Sequence, residues 1–169
     1  MSLPTDEKPP VVPALAPGSG RLSELQIIAH RGYKAAFPEN SMVAFQGAID
    51  VGADAIETDL HLSRDGVVVL SHDASLKRCF GKNEKIANCD WGYLSSLKTT
   101  REPHVGMPRL DDLLEWLTRP GIESVWVLLD IKTDDDPDAL LGAIARVIAA
   151  APPSPSLPWN ERIVIGVWN

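Results

Sequence analysis

Residues 54–73 read Asp-Ala-Ile-Glu-Thr-Asp-Leu-His-Leu-Ser-Arg-Asp-Gly-Val-Val-Val-Leu-Ser-His-Asp. The stretch divides into two short extended runs joined by a turn at Arg64-Asp65-Gly66. Alternate residues of a strand share a face, so Glu57 and Asp59 point one way while Ile56 and Leu60 point the other way, into packing. The second run, Val67 to Leu70, is apolar and ends at Ser71-His72-Asp73. A turn centred near Asp65 sets Asp59 roughly opposite Ser71, which places His72 beside the two carboxylates. A parallel arrangement with a short return segment would gather the same polar ends at one rim.

Upstream, Leu25 to Ala29 predicts a short buried strand ending in His30-Arg31-Gly32, where glycine suits a sharp turn. Asn40 or Ser41 can cap a helix in which Met42, Val43, Phe45, Ala48 and Ile49 recur at helical spacing, and Gly52 closes it. Strand, helix, strand argues for a parallel sheet. Downstream, residues 74–107 show little periodicity beyond a possible helical turn at 93–98. A loop of that length implies a lid, an inserted unit or an element without a sequence signal. Pro108 precedes an amphipathic helix with Leu110, Leu113, Leu114 and Leu117 on one face, which Pro120-Gly121 ends. Residues 124–131 predict a strand buried on both faces, ending in Asp130-Ile131-Lys132. Asp134 to Asp136 read as a solvated helix N-terminus before a helix from about 138 to 151, with Pro137 in its first turn. A proline-rich connection leads to a last buried strand at 162–168.

The pattern is five strands and three clear helices. It fits a parallel sheet covered on both sides or one closed as a barrel, and both architectures place function at the C-terminal strand ends. A closed eight-stranded barrel takes about 250 residues, and this chain has 169. The expectation is therefore a fragment: a disordered Pro/Gly-rich leader over 1–24, then one truncated domain over 25–169. The net charge of −7 sets up no field for a polyanion, so nucleic acid is excluded as a partner. Cys79 and Cys89 read as ordinary thiols. No apolar run reaches the ~20 residues of a membrane span, and the N-terminus has no signal-peptide pattern. Peripheral membrane contact stays open, with the cytoplasm or the surface of an internal membrane as the expected location.

The strand ends collect His30, Arg31, Glu57, Asp59, His72, Asp130 and Lys132. Three carboxylates suit a hard divalent ion, Mg2+ or Ca2+. Two histidines suit general acid and base work near neutral pH. Arg31 and Lys132 offer the positive charge a phosphate needs. Together these are the groups of metal-assisted phosphodiester cleavage. His61 shares a face with Asp59 but reads as shell or surface. Pro38-Glu39-Asn40 either orients the site or starts the helix.

The ordered strings carry a resemblance. His-Arg-Gly, Pro-Glu-Asn-Ser with Ala44-Phe45 and Ala48, Gly-Ala-Asp-Ala-Ile-Glu-Thr-Asp-Leu, Asp-Gly, His-Asp, Pro-Arg-Leu-Asp-Asp-Leu-Leu and Leu-Asp-Ile-Lys look like the glycerophosphodiester phosphodiesterase family. Trp159, Arg162-Ile163 and Gly166-Val167-Trp168 look more narrowly like its fungal phosphatidylglycerol phospholipase C branch. The resemblance implies a TIM (β/α)8 barrel, here its N-terminal portion. It implies a divalent metal on Glu57, Asp59 and Asp130, an acid/base pair in His30 and His72, and phosphate on Arg31 and Lys132. It also implies attack by the neighbouring glycerol hydroxyl and a cyclic phosphate that water opens. The third ligand in most of the family is glutamate; Asp130 is one methylene shorter, a gap a water could bridge. Two other readings compete: a catalytically inactive fragment that only binds, and a phospholipase D that forms cyclic phosphates on the same fold.

Overall fold

The structure, a computed structural model, describes residues 26–167; the expected leader over 1–24 lies outside the described residues, as does Trp168. The strand predicted from the Glu57/Asp59 alternation is β2, Ala55–Leu62, and the sheet is built around it. On one edge it pairs in parallel with β1 (Ile28–His30), from Ile28 opposite Ala55 to His30 opposite Glu57. On the same edge, further along, it pairs antiparallel with β3 (Val68–Leu70). The Ser71 N–H donates to the Asp59 carbonyl at 3.0 Å, so the expected opposition of these residues is present. The other edge carries β4 (Trp126–Ile131), which sets Asp59 opposite Asp130. Beyond β4, also parallel, lies β5 (Ile163–Val167).

Helix α1 (Met42–Asp50) is capped by Ser41, whose hydroxyl accepts from the Ala44 N–H, and it ends where Gly52 turns at φ +93°. Helices α2 (Lys77–Phe80) and α3 (Trp91–Leu94) are single turns. Helix α4 runs Leu110–Trp116, and α5 runs Pro137–Ala150 behind an Asp136 cap. A last turn, α6, spans Trp159–Arg162. Period-2 alternation turns Ile56, Leu60, Val127, Leu129 and Ile131 to the helix side. There they pack with Phe45, Leu110, Leu113, Leu114, Leu140 and Ile144 in the main core. The opposite face of the same strands presents His30, Glu57, Asp59 and Asp130.

The strands at 25–29 and 162–168 were expected to be buried; over their described residues they are largely exposed or half-buried. Ile27 and Ile28 are 62% and 43% exposed, and Ile165 and Val167 are 42% and 64% exposed. Both strands end the order β1-β2-β4-β5, so among the described residues each is hydrogen-bonded on one side only. Residues 74–107 form a compact insertion rather than an open loop. Leu76, Phe80, Ile86, Leu94, Leu97 and Met107 close a second core on Val69 of β3, with Trp91 at its margin. Its helical turn lies at 91–94 rather than 93–98. Elements of three or four residues are too short to show a period, which is why the sequence did not reveal them. Cys79 and Cys89 within it are free thiols.

Two arginines tie loops down. Arg101 donates to the carbonyls of Lys34, Ala35 and Phe37 at 2.6–2.8 Å, pinning the β1–α1 loop to the insertion. Arg162 is buried, and its guanidinium donates to the carbonyls of Leu117, Ile122 and Val125 while stacking on Trp159. Among the described residues no helix is long and apolar enough to cross a membrane.

Candidate active site

Glu57, Asp59 and Asp130 are all buried, and each offers a carboxylate oxygen within 4.8 Å of the others. Strand register alone achieves this: Glu57 and Asp59 share a face of β2, and Asp130 is the direct β4 partner of Asp59. The shorter Asp130 side chain therefore reaches the cluster. Burial and the neighbouring charges of Asp59 and Asp130 push the Glu57 carboxyl up to about 7. Asp59 behaves oppositely. Burial works against its charge, but Lys132 and Asn40 hold it below the ordinary carboxylate range.

The predicted cations lie against these acids. Lys132 Nζ is 2.7 Å from Asp59 Oδ1 and 2.6 Å from Asp130 Oδ2. Arg31 Nε is 3.2 Å from Asp59 Oδ2. The Arg31 backbone sits at φ +60°, a left-handed conformation that is uncommon outside glycine, and its N–H donates to Glu57 Oε2 at 2.9 Å. Gly32 follows at φ +75°, where a Cβ would meet the Ala44 backbone at 2.7 Å. With all three carboxylates ionised, the two cations would leave one negative charge. A divalent ion would convert that to one positive charge, which matches the single negative charge of a phosphodiester. The donor set, all carboxylate oxygen, fits Mg2+ or Ca2+.

His30 Nε2 lies 3.8 Å from Glu57 Oε2, and its Nδ1 lies 2.8 Å from Lys34 Nζ. Burial, then Lys34 and Arg31, lower its pKa, which favours the neutral ring. A cavity of about 450 Å3 opens over this floor, lined by His30, Arg31, Glu57, Asp130, Lys132 and Gly166 among others. Gly166 of β5 leaves the cavity wall without a side chain. His72 instead lines a separate, smaller pocket with Glu39, Asn40 and Cys79. The structure thus sets five of the predicted residues, His30, Arg31, Glu57, Asp130 and Lys132, on one cavity, holds Asp59 against Lys132 and Arg31, and places His72 on a separate pocket.

Contacts around these residues decide readings that the sequence left open. Asn40 is buried at φ +50°; its amide donates to Asp59 Oδ2 at 2.8 Å and its carbonyl accepts from the Thr58 hydroxyl at 2.7 Å. Glu39 pairs with Arg31 and Arg78. Pro38-Glu39-Asn40 therefore orients the site, while Ser41 starts the helix. Of the two readings of His61, shell holds and surface does not. It is fully buried, with Nδ1 2.6 Å from Asp135 Oδ2 and Nε2 3.2 Å from the His72 carbonyl. Burial opposes the charged ring, but Asp135 prevails and raises its pKa. Asp135 accordingly leaves the solvated Asp134–Asp136 run to reach β2. The parity of His61 with Asp59 was the available signal.

Residues 30–141 match the model of the Glycerophosphoryl diester phosphodiesterase family. The chain belongs to this family. Among its relatives is a glycerophosphodiester phosphodiesterase of Bacillus altitudinis, 38% identical over 102 residues, which are 56% of this chain and 40% of that protein. An uncharacterized Bacillus subtilis protein, YqiK, is 36% identical over 85% of this chain and 58% of its own length. The solved glycerophosphodiester phosphodiesterase of Thermotoga maritima superposes with a TM-score of 0.67 at 27% identity, covering 87% of this chain and 56% of that one. The chain thus spans between two fifths and three fifths of these relatives. Its parallel strands and outer helices form an incomplete TIM barrel.

Proposed function

We propose that this family member hydrolyses phosphodiesters of glycerol with the help of one divalent cation. The observation that carries the proposal is the convergence of Glu57, Asp59 and Asp130 within 4.8 Å, at the edge of a cavity shared with His30, Arg31 and Lys132. Those three carboxylates would hold the cation, which when bound supplies charge neutralisation at the phosphate oxygens. Arg31 and Lys132 orient the diester. The glycerol hydroxyl next to the phosphate attacks phosphorus as the P–O bond to the other alcohol of the diester breaks. One of His30 and His72 takes the hydroxyl proton, and the other protonates the departing oxygen. With the roles exchanged, water then opens the cyclic phosphate. A preference for phosphatidylglycerol, cleaved as a phospholipase C would cleave it, rests on the strings at 159–168 alone; the relatives named above carry no such description.

The test is turnover of glycerophosphodiesters and of phosphatidylglycerol, with Mg2+ or Ca2+ and then with chelator. Turnover should vanish with chelator and in His30→Ala and His72→Ala variants that keep the wild-type circular dichroism. Undiminished activity in His72→Ala would refute the assignment of the acid/base pair. Metal binding without turnover would leave a binding module. Accumulation of a cyclic phosphate as the end product would instead indicate a phospholipase D-type outcome.

A further inference from the structure

Arg78 lies outside the seven residues at the strand ends, yet it joins two of them. It sits on α2, the first turn of the insertion, and donates four hydrogen bonds to two carboxylates. Nε and Nη2 reach Asp73 Oδ2 and Oδ1 at 2.7 and 3.0 Å. Nη1 and Nη2 reach Glu39 Oε2 and Oε1 at 2.8 and 2.7 Å. Each pairing is a fork on a carboxylate, the geometry in which arginine is strongest and which lysine cannot reproduce. Each carboxylate in turn holds a side chain of the candidate site. Glu39 Oε1 accepts from Arg31 Nη1 at 3.2 Å, and Asp73 Oδ1 lies 2.8 Å from His72 Nδ1. A continuous path therefore runs from Arg31 through Glu39, Arg78 and Asp73 to His72.

We infer that Arg78 is a positioning residue that fixes the ring of His72 relative to Arg31. Its leverage is geometric. A carboxylate oxygen only accepts, so the His72 ring nitrogen facing Asp73 must carry its proton. In the neutral ring this leaves Nε2 as the nitrogen with a free lone pair. Asp73 can impose that tautomer only if its own rotamer is held, and Arg78 holds both of its oxygens. The β1–α1 loop and the β3 end, which carry the two ends of the path, pair with β2 but not with each other, and Arg78 joins their side chains directly. This gives the insertion a task in addition to covering Val69.

The inference rests on His72 acting as proposed, so the test has one readout that does not need activity. Nitrogen NMR of the full chain should show His72 as the Nδ1–H tautomer in wild type and as a mixture with the Nε2–H form in Arg78→Ala. In turnover, Arg78→Ala should lower kcat by about 10- to 100-fold, as loss of a supporting hydrogen bond does. KM should stay within about twofold, because Arg31 keeps its ion pair with Asp59. Added guanidinium should restore part of kcat, and Arg78→Lys should restore little. An unchanged His72 tautomer in Arg78→Ala would overturn the inference. So would a loss of kcat that follows the melting temperature and is indifferent to guanidinium. A wild-type chain with no turnover on any glycerophosphodiester would count against the proposed function, and the NMR result would still decide the role of Arg78.

Discussion

Replacing Glu57 with Gln should make the metal-free chain more stable near neutral pH and less able to bind a cation. Glu57 is 8% exposed, and its carboxyl titrates at about 7 against an ordinary 4.5. The folded state therefore holds this proton more tightly than the unfolded chain does. Below about pH 4.5 both states are protonated and the group has no effect. From there to about 7 the unfolded chain ionises first and stability falls, and above 7 the full penalty applies. The span between the two pKa values corresponds to about 3 kcal/mol. Glutamine removes the charge and keeps an oxygen for the Arg31 N–H. Urea denaturation in chelator should therefore show Glu57→Gln more stable than wild type by up to about 3 kcal/mol near pH 8, with the gap closing toward pH 4. Divalent metal at about a hundred times its Kd should add about 2.7 kcal/mol to wild type and much less to the variant. The gap in stability between the two proteins would then narrow or close. A variant less stable than wild type in chelator near pH 8 would refute the charge argument. Equal stabilisation of both proteins by metal would show that Glu57 is not a ligand.

Arg162→Met should destabilise the chain by about 3 kcal/mol or more in urea, because three buried carbonyls lose their donor; a loss under about 1 kcal/mol would mean that water replaces the guanidinium. Asn40→Ala should weaken metal binding by about 10- to 100-fold in calorimetry by freeing Asp59 Oδ2 to rotate, and unchanged affinity would show that β2 alone orients Asp59. Lys132→Met should tighten metal binding several-fold, since its ammonium lies on two of the three carboxylates, while raising KM for the diester; a metal affinity that falls instead would show that Lys132 supports the ion rather than competing with it.

What the sequence revealed divides along range and period. β2, β3 and their turn were legible because alternation is a local signal and Gly66 marks the reversal. Glu57, Asp59 and Asp130 were legible as a group because each is a charge in an otherwise apolar run, a pattern that seldom occurs without a purpose. The exposure of β1 and β5 was not legible, because an apolar strand reads the same whether its neighbours are present or absent. The insertion escaped because its helical turns are shorter than the window a period needs. The roles of Asn40, Arg78 and His61 depend on contacts spanning 5 to 74 residues of sequence, most of them long-range, among them Asn40 with Asp59, Arg78 with Glu39 and His61 with Asp135. No local pattern encodes such contacts.

The pairing of Asp59 with Asp130 across β2 and β4 also bears on how the gene can change. A one-residue insertion within residues 126–131 would turn Asp130 toward the leucines of α4 and bring Leu129 to the cluster, so folding and chemistry would fail together. A two-residue insertion would restore the facing but carry the carboxylate about 7 Å along the strand, sparing the core and emptying the cluster. Length variation in this segment is thus barred by two independent penalties. The proline-rich residues 152–158, which carry no strand pairing, are where a drifting gene can lengthen at least expense to either.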